Sequence, residues 1–216
     1  MLATTVNTRT LAAAALLILA DQAMAGDRRY DFEVLLDTHH IGTHRFDIAS
    51  RADGTDEVRS EADFVVRFLG LPVYRYRHRA TERWSAGCLQ YIVATTNDNG
   101  RQQEVSGGVQ QGRFQLEQPT RSIARAGCVN AFAYWDPARL LMQAELLNPQ
   151  SGEFERVKIA AAGEETLKVR GAAVLARRYE LRGDKLVIDL WYSAAGEWLQ
   201  LESRVASNQV LRYRLR

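Results

Sequence analysis

Residues 73–84 read Val73-Tyr74-Arg75-Tyr76-Arg77-His78-Arg79-Ala80-Thr81-Glu82-Arg83-Trp84. Even positions carry Tyr74, Tyr76, His78, Ala80, Glu82 and Trp84. Odd positions carry Val73, Arg75, Arg77, Arg79, Thr81 and Arg83. Side chains alternate across a strand, so this period of two separates an aromatic face from an arginine face. The arginines must be solvated or paired. The aromatic face is therefore the inner one, and it carries a histidine and a carboxylate with it.

The same period extends in both directions. Tyr30, Phe32, Val34 and Leu36 alternate with Asp31 and Glu33, and His44, Phe46 and Ile48 alternate with Thr43, Arg45 and Asp47. Residues 37–42 read as the connection between these runs. Phe64, Val66 and Phe68 share a face in a strand over 57–69, which Gly70-Leu71-Pro72 interrupts. A strand over 88–96 ends at Asn97-Asp98-Asn99-Gly100, a strong turn. Residues 101–116 suit a hairpin around Gly107-Gly108 and Gln111-Gly112, whereas 119–133 show no clear period. Asp136-Pro137 is a helix start: the carboxylate caps exposed N–H groups, and proline fits the first helical position. The spacing predicts a short helix over 138–147, ended by Asn148-Pro149. Strands resume after Gly152, with Leu186, Ile188, Leu190 and Tyr192 on one face, and the chain closes on a strand over 210–216.

These elements predict an all-β fold: one curved or closed antiparallel sheet, a barrel or half-barrel of about nine to eleven strands with one short helix. No internal repeat or low-complexity linker divides the chain. Hydrophobic residues make up 46% of the 216 and aromatics 9%, which excludes a disordered chain. Twenty-eight basic against 26 acidic residues leave +2, too little for a nucleic-acid footprint.

The first 25 residues read as a targeting segment. Arg9 precedes the apolar run Leu11 to Ala20, and Ala23-Met24-Ala25 is a small-residue cleavage signal. Cleavage after Ala25 leaves 26–216 as a single β-rich domain, periplasmic or secreted. The apolar run is too short to cross a bilayer, which takes ~20 residues, and no later stretch qualifies. In an oxidising compartment the two cysteines, Cys88 and Cys128, suggest one disulfide, the alternative being two buried thiols.

Several stretches together carry a likeness. Asp37, Ile41-Gly42-Thr43-His44-Arg45-Phe46 and Phe68-Leu69-Gly70-Leu71-Pro72-Val73-Tyr74-Arg75-Tyr76-Arg77-His78 form its first part. Glu82-Arg83-Trp84, Gly87-Cys88-Leu89, Phe132-Ala133-Tyr134-Trp135-Asp136-Pro137, Leu147-Asn148-Pro149 and Leu190-Trp191-Tyr192 follow in order. In these the chain resembles an uncharacterised bacterial envelope-protein family of unknown function. More distantly, its architecture is similar to lipoprotein-carrier half-barrels, an analogy of fold alone. The resemblance implies a signal peptide and a β-rich domain. It implies no activity and so no catalytic residues.

The candidate ligand-binding residues are Tyr74, Tyr76, His78, Glu82 and Trp84 of the central strand, with Tyr134 and Trp135. His78 and Glu82 share a face but stand four positions apart, roughly 13 Å along a strand, so they do not touch. Either they flank a polar spot in a barrel mouth, or they are a satisfied core histidine and a rim carboxylate paired with an arginine. The arginine row either meets phosphates or pairs across strands with Glu57, Glu61 and Asp63. His39, His40 and His44 cluster near a turn, but adjacent histidines on a strand point opposite ways, so no metal is assigned. No cofactor signature is present either: G-x-S-x-G, H-E-x-x-H, P-loop and G-x-G-x-x-G are all missing.

The leading expectation is a non-enzymatic protein whose concave face binds an apolar or amphipathic envelope molecule, such as a lipid, or another envelope protein. The alternatives are an envelope hydrolase using His78 and Glu82, and a ligand-free structural or assembly factor.

Overall fold

Hairpin follows hairpin along the chain. A computed structural model describes residues 26–118, 121–205 and 208–216; residues 1–25, which hold the expected signal peptide, lie outside the described residues. The first half contains β1 (Arg28–Leu36), β2 (His39–Ser50), β3 (Thr55–Phe68), β4 (Leu71–Ser85), β5 (Cys88–Asp98), β6 (Arg101–Gln110), β7 (Arg113–Gln118) and β8 (Arg121–Ala126). A crossing segment carries α1 (Pro137–Leu140) and β9 (Glu145–Leu147). The second half contains β10 (Phe154–Val169), β11 (Ala172–Gly183), β12 (Val187–Ser193), β13 (Trp198–Arg204) and β14 (Val210–Leu215).

All fourteen strands join one antiparallel sheet in the order β8-β7-β6-β5-β4-β3-β2-β1-β14-β13-β12-β11-β10-β9. Pairing of β1 with β14 stitches the two halves together at the centre. The sheet is curved but not closed, because β8 and β9 end it without pairing to each other. Strand twist and bulges at Val34/Leu35, Val66/Arg67, Arg83/Trp84, Ala161/Gly163 and Trp191/Tyr192 supply the curvature.

Fourteen strands exceed the nine to eleven expected. The edge strand β8 has no fully buried residue, and β9 is only three residues long, too short to show a period. The middle of β10 is exposed on both faces, so it shows no apolar alternation. Gly107 and Gly108 are not a turn but lie inside β6. A Cβ on Gly107 would stand 2.9 Å from Phe114 Cε1, so the glycine makes room for a fully buried phenylalanine. The helix is also shorter than expected. Asp136 caps α1 by accepting from the Arg139 amide at 3.1 Å, but the helix ends at Leu140 and residues 145–147 form β9.

The crossing segment fills the concave face. Leu89 N–H donates to the Val129 carbonyl and Leu147 N–H to the Asn130 carbonyl, each at 2.8 Å. The Cys88–Cys128 disulfide is formed and ties the start of β5 to this segment. Trp84, Trp135, Trp198, Tyr192, Phe32 and Phe114 are fully buried, and together they draw β1, β4, β7, β12, β13 and the crossing segment into one core. Each such burial contributes roughly 1.5–3 kcal/mol before entropy is counted.

Candidate functional site

The alternation of β4 sorts its residues as expected. Tyr76, His78, Ala80, Glu82 and Trp84 are buried on the inner face, while Arg75, Arg77, Arg79 and Arg83 are exposed on the outer one. On the outer face Arg77 pairs with Asp63 at 3.2 Å and Arg79 with Glu61 at 3.6 Å. Glu57 instead pairs with Arg59 and Arg51.

Strand register aligns Phe32, His44, Ala62, His78 and Thr96 across β1 to β5. The two histidines are therefore two strands, or about 10 Å, apart, with a small alanine between them. His78 Nδ1 hydrogen-bonds to the Thr96 hydroxyl at 2.9 Å. His44 Nε2 hydrogen-bonds to the Ser60 hydroxyl at 2.7 Å, and its ring stacks on Phe46 at 4.1 Å. The Glu82 carboxylate accepts from the Trp84 indole at 2.8 Å. His78 and Glu82 thus each have a separate partner and are not brought together.

Beside this row lies a partly open cavity of about 280 Å³. Its polar side is formed by His44, Ser60 and Glu82, with Asn148 and Gln150 from the loop between β9 and β10. Its apolar side is formed by Phe46, Phe132, Tyr134, Trp135, Trp198 and Tyr213. Leu186, Ile188, Leu201, Ser203 and Leu211 bring β12 to β14 to the same space. Neither arginine nor lysine lines it.

Burial sets the electrostatics of this region. The Glu82 carboxyl is pushed up to about 7 by desolvation, which its hydrogen bond to Trp84 only partly offsets. Desolvation lowers the His78 imidazole to about 4, and it holds His44 well below its ordinary value, with His78 adding repulsion. Burial also raises the phenols of Tyr134 and Tyr213. At neutral pH the cavity wall therefore holds the uncharged His44 imidazole and the phenols of Tyr134 and Tyr213 beside the Glu82 carboxyl, whose affinity for a proton burial has raised, while the uncharged His78 lies just outside it.

Of the candidate residues, Glu82, Tyr134 and Trp135 line the cavity. Tyr74, Tyr76, His78 and Trp84 share the inner face without lining it. Tyr76 stacks on Phe64 at 5.2 Å in a separate small cluster, and the Tyr74 hydroxyl donates to Asp98 at 2.7 Å. Trp84 packs edge-on against Trp135, and the Arg139 guanidinium lies 5.0 and 5.3 Å from the two ring centroids. Asp136 and Asp56 pair with Arg139 at 3.3 and 3.6 Å, so this group clamps α1 to β3 and β4.

Sequence reasoning missed His44, Ser60, Phe132, Trp198 and Tyr213 as cavity residues. A signal existed for His44, which shares the face of Phe46 and Ile48. His39 and His40, by contrast, are exposed. Among the described residues, no group of three or more His, Cys, Asp or Glu is placed to hold a metal ion. No helix there is long and apolar enough to cross a membrane.

Comparison with known proteins supports the fold and names no activity. The chain is similar to the crystal structure of a β-barrel-like protein of domain of unknown function DUF1849 from Brucella abortus. The TM-score is 0.64 at 8% identity, covering 87% of this chain and 94% of that one. At that identity the likeness establishes architecture only. No curated protein matches the sequence. The model of DUF6134, a domain of unknown function, matches residues 32–216, which is most of the chain. The protein is therefore a member of the DUF6134 family.

Proposed function

We propose that this protein is a periplasmic or secreted binding protein that takes an apolar or amphipathic envelope molecule into its concave-face cavity. The supporting observation is the cavity itself, about 280 Å³ with an aromatic and aliphatic wall on one side and a cluster of hydrogen-bonding groups without a cation on the other. The ligand class follows from that lining. With no arginine or lysine at the wall, a phosphorylated head group would be desolvated without a counter-charge. A neutral amphipath, or one whose single acid group enters protonated, fits instead, its chain or ring against Phe46, Trp198 and Tyr213 and its hydroxyl, amide or carboxylic acid near His44, Ser60 and Glu82. The separate partners of His78 and Glu82 favour this reading over acid–base catalysis, because neither is aimed at a shared reacting atom.

The test is native mass spectrometry with lipid extraction on protein purified from its own periplasm. The expected result is a co-purifying neutral or monoacidic amphipath. Its occupancy should fall roughly tenfold or more in Leu211→Trp, which fills the rim of the cavity, while the melting temperature stays within a few degrees of wild type. A clean apo mass together with no uptake of a fluorescent fatty-acid probe would overturn the reading.

A further inference from the structure

The β3–β4 hairpin stands out beyond the sheet around it. Pairing of β2 with β3 stops at Gly42 and Phe64, and pairing of β4 with β5 begins at Tyr76 and Asp98. Asn99 in the β5–β6 turn still donates its N–H to the Arg75 carbonyl at 2.7 Å, and beyond that point residues 65–74 continue as a two-stranded ribbon, roughly 13–16 Å long. On its β2 side the strands diverge, leaving a groove lined by His40, Ile41, Val65 and Phe68.

The end of this ribbon is apolar and exposed. Phe68 is 66% exposed, Leu69 88%, Leu71 69% and Val73 54%. Leu69 also occupies the first position of the turn at φ 50°, followed by Gly70 at 81°. A two-residue turn with both residues in the left-handed region favours Asn-Gly or Asp-Gly, and a bulky apolar residue there is uncommon. Turn chemistry thus gives no reason for Leu69, and neither does packing.

A cationic collar lies just behind the tip. Arg67 sits opposite Pro72, and Arg75 sits opposite Val65. Both are exposed, and among the described residues neither forms an ion pair. The acidic residue nearest along β3, Asp63, is paired with Arg77. An apolar end followed by unpaired arginines matches the layering of an anionic bilayer, with hydrocarbon beneath phosphate. A narrow ribbon end is also too small to supply the roughly 800 Å² per partner of a stable protein interface.

We propose that the β3–β4 hairpin docks the protein on an anionic phospholipid bilayer, inserting Phe68, Leu69 and Leu71 below the head groups while Arg67 and Arg75, with Val73 between them in level, meet the phosphates and the interface. This docking does not depend on the cavity being occupied. It is tested by co-sedimentation of the purified protein with vesicles of pure phosphatidylcholine and with vesicles containing phosphatidylglycerol. The protein is expected to bind the anionic vesicles, and to do so more weakly at high salt.

In Leu69→Asn/Leu71→Asn the affinity should fall roughly tenfold or more. Asn suits the turn at position 69, so the melting temperature should be kept, and a loss of binding is not a folding defect. Arg67→Gln/Arg75→Gln should remove the preference for anionic vesicles. Failure to bind anionic vesicles, or undiminished binding by the leucine variant, would overturn the proposal. So would Leu69-dependent self-association in sedimentation velocity without vesicle binding, which would assign the tip to a second copy of the chain.

Discussion

Cys88→Ser/Cys128→Ser is expected to lower the stability of the folded protein by about 4 kcal/mol, the chain-entropy figure for a loop of this length. The bond spans 40 positions and joins the β4–β5 hairpin to the start of the crossing segment. In the unfolded chain its loss restores the freedom of that whole loop. In the folded protein the next residue, Val129, still accepts from Leu89 N–H at 2.8 Å, and Trp135 still packs on Trp84. The double variant should therefore fold at low temperature and melt cooperatively, at a lower midpoint. Urea unfolding at one pH, with and without reductant, checks this. Reductant should move the wild type to the variant's curve and leave the variant unchanged. A wild-type midpoint insensitive to complete reduction would show that the segment is held by packing alone.

The second large effect concerns pH. The Glu82 carboxyl has an ordinary value of 4.5 and titrates at about 7 in the folded protein. Between those values the unfolded chain has lost this proton while the folded protein retains it. Stability therefore falls as pH rises through this window and levels off above it. The span corresponds to about 3 kcal/mol. Burial of His78, lowered from 6.5 to about 4, acts in the opposite sense, since its unfolded form takes up a proton that the folded form refuses. Its contribution is lost as pH falls from 6.5 toward 4, and His44 follows the same direction. Wild-type stability should accordingly peak on the acid side of neutrality.

Glu82→Gln isolates the carboxylate. The amide oxygen can still accept from the Trp84 indole, and both histidines remain in variant and wild type alike. The stability difference should move in favour of the variant by about 3 kcal/mol between pH 4.5 and the plateau above pH 7. Denaturant melts across this range read it directly, and parallel pH profiles for the two proteins would refute a buried carboxyl at this position.

How much of this was legible beforehand varies by element. The period of β4 gave both its strand character and its inner face, because Arg75, Arg77 and Arg79 admit only one orientation toward solvent. Asp136 and Pro137 marked the helix start, since capping is a local matter of a few atoms. The helix end was not legible. Residues 141–147 are good helix formers, and β9 exists only because Leu146 and Leu147 are fully buried in the core and pair with Glu155 and Phe154. Strands after Gly152 were legible but the bounds of the β10–β11 hairpin were not, since the middle of β10 is exposed on both faces and has no apolar period to read.

The same division runs through the candidate site. Residue pattern alone settled the all-β class, the inward aromatic face with His78 and Glu82 on it, and the carboxylates within reach of the arginine row. All of these depend on residue type and on separations within one strand or across one turn. Tertiary structure alone decided that the sheet stays open, that the crossing segment fills it, and that Glu82 meets His44, Tyr134, Trp198 and Tyr213 around one cavity while His78 stands outside it. Trp198 and Tyr213 lie more than a hundred residues from Glu82 along the chain, and Tyr134 belongs to the crossing segment. Only the pairing of β1 with β14, and the curvature built by twist and bulges, brings them face to face.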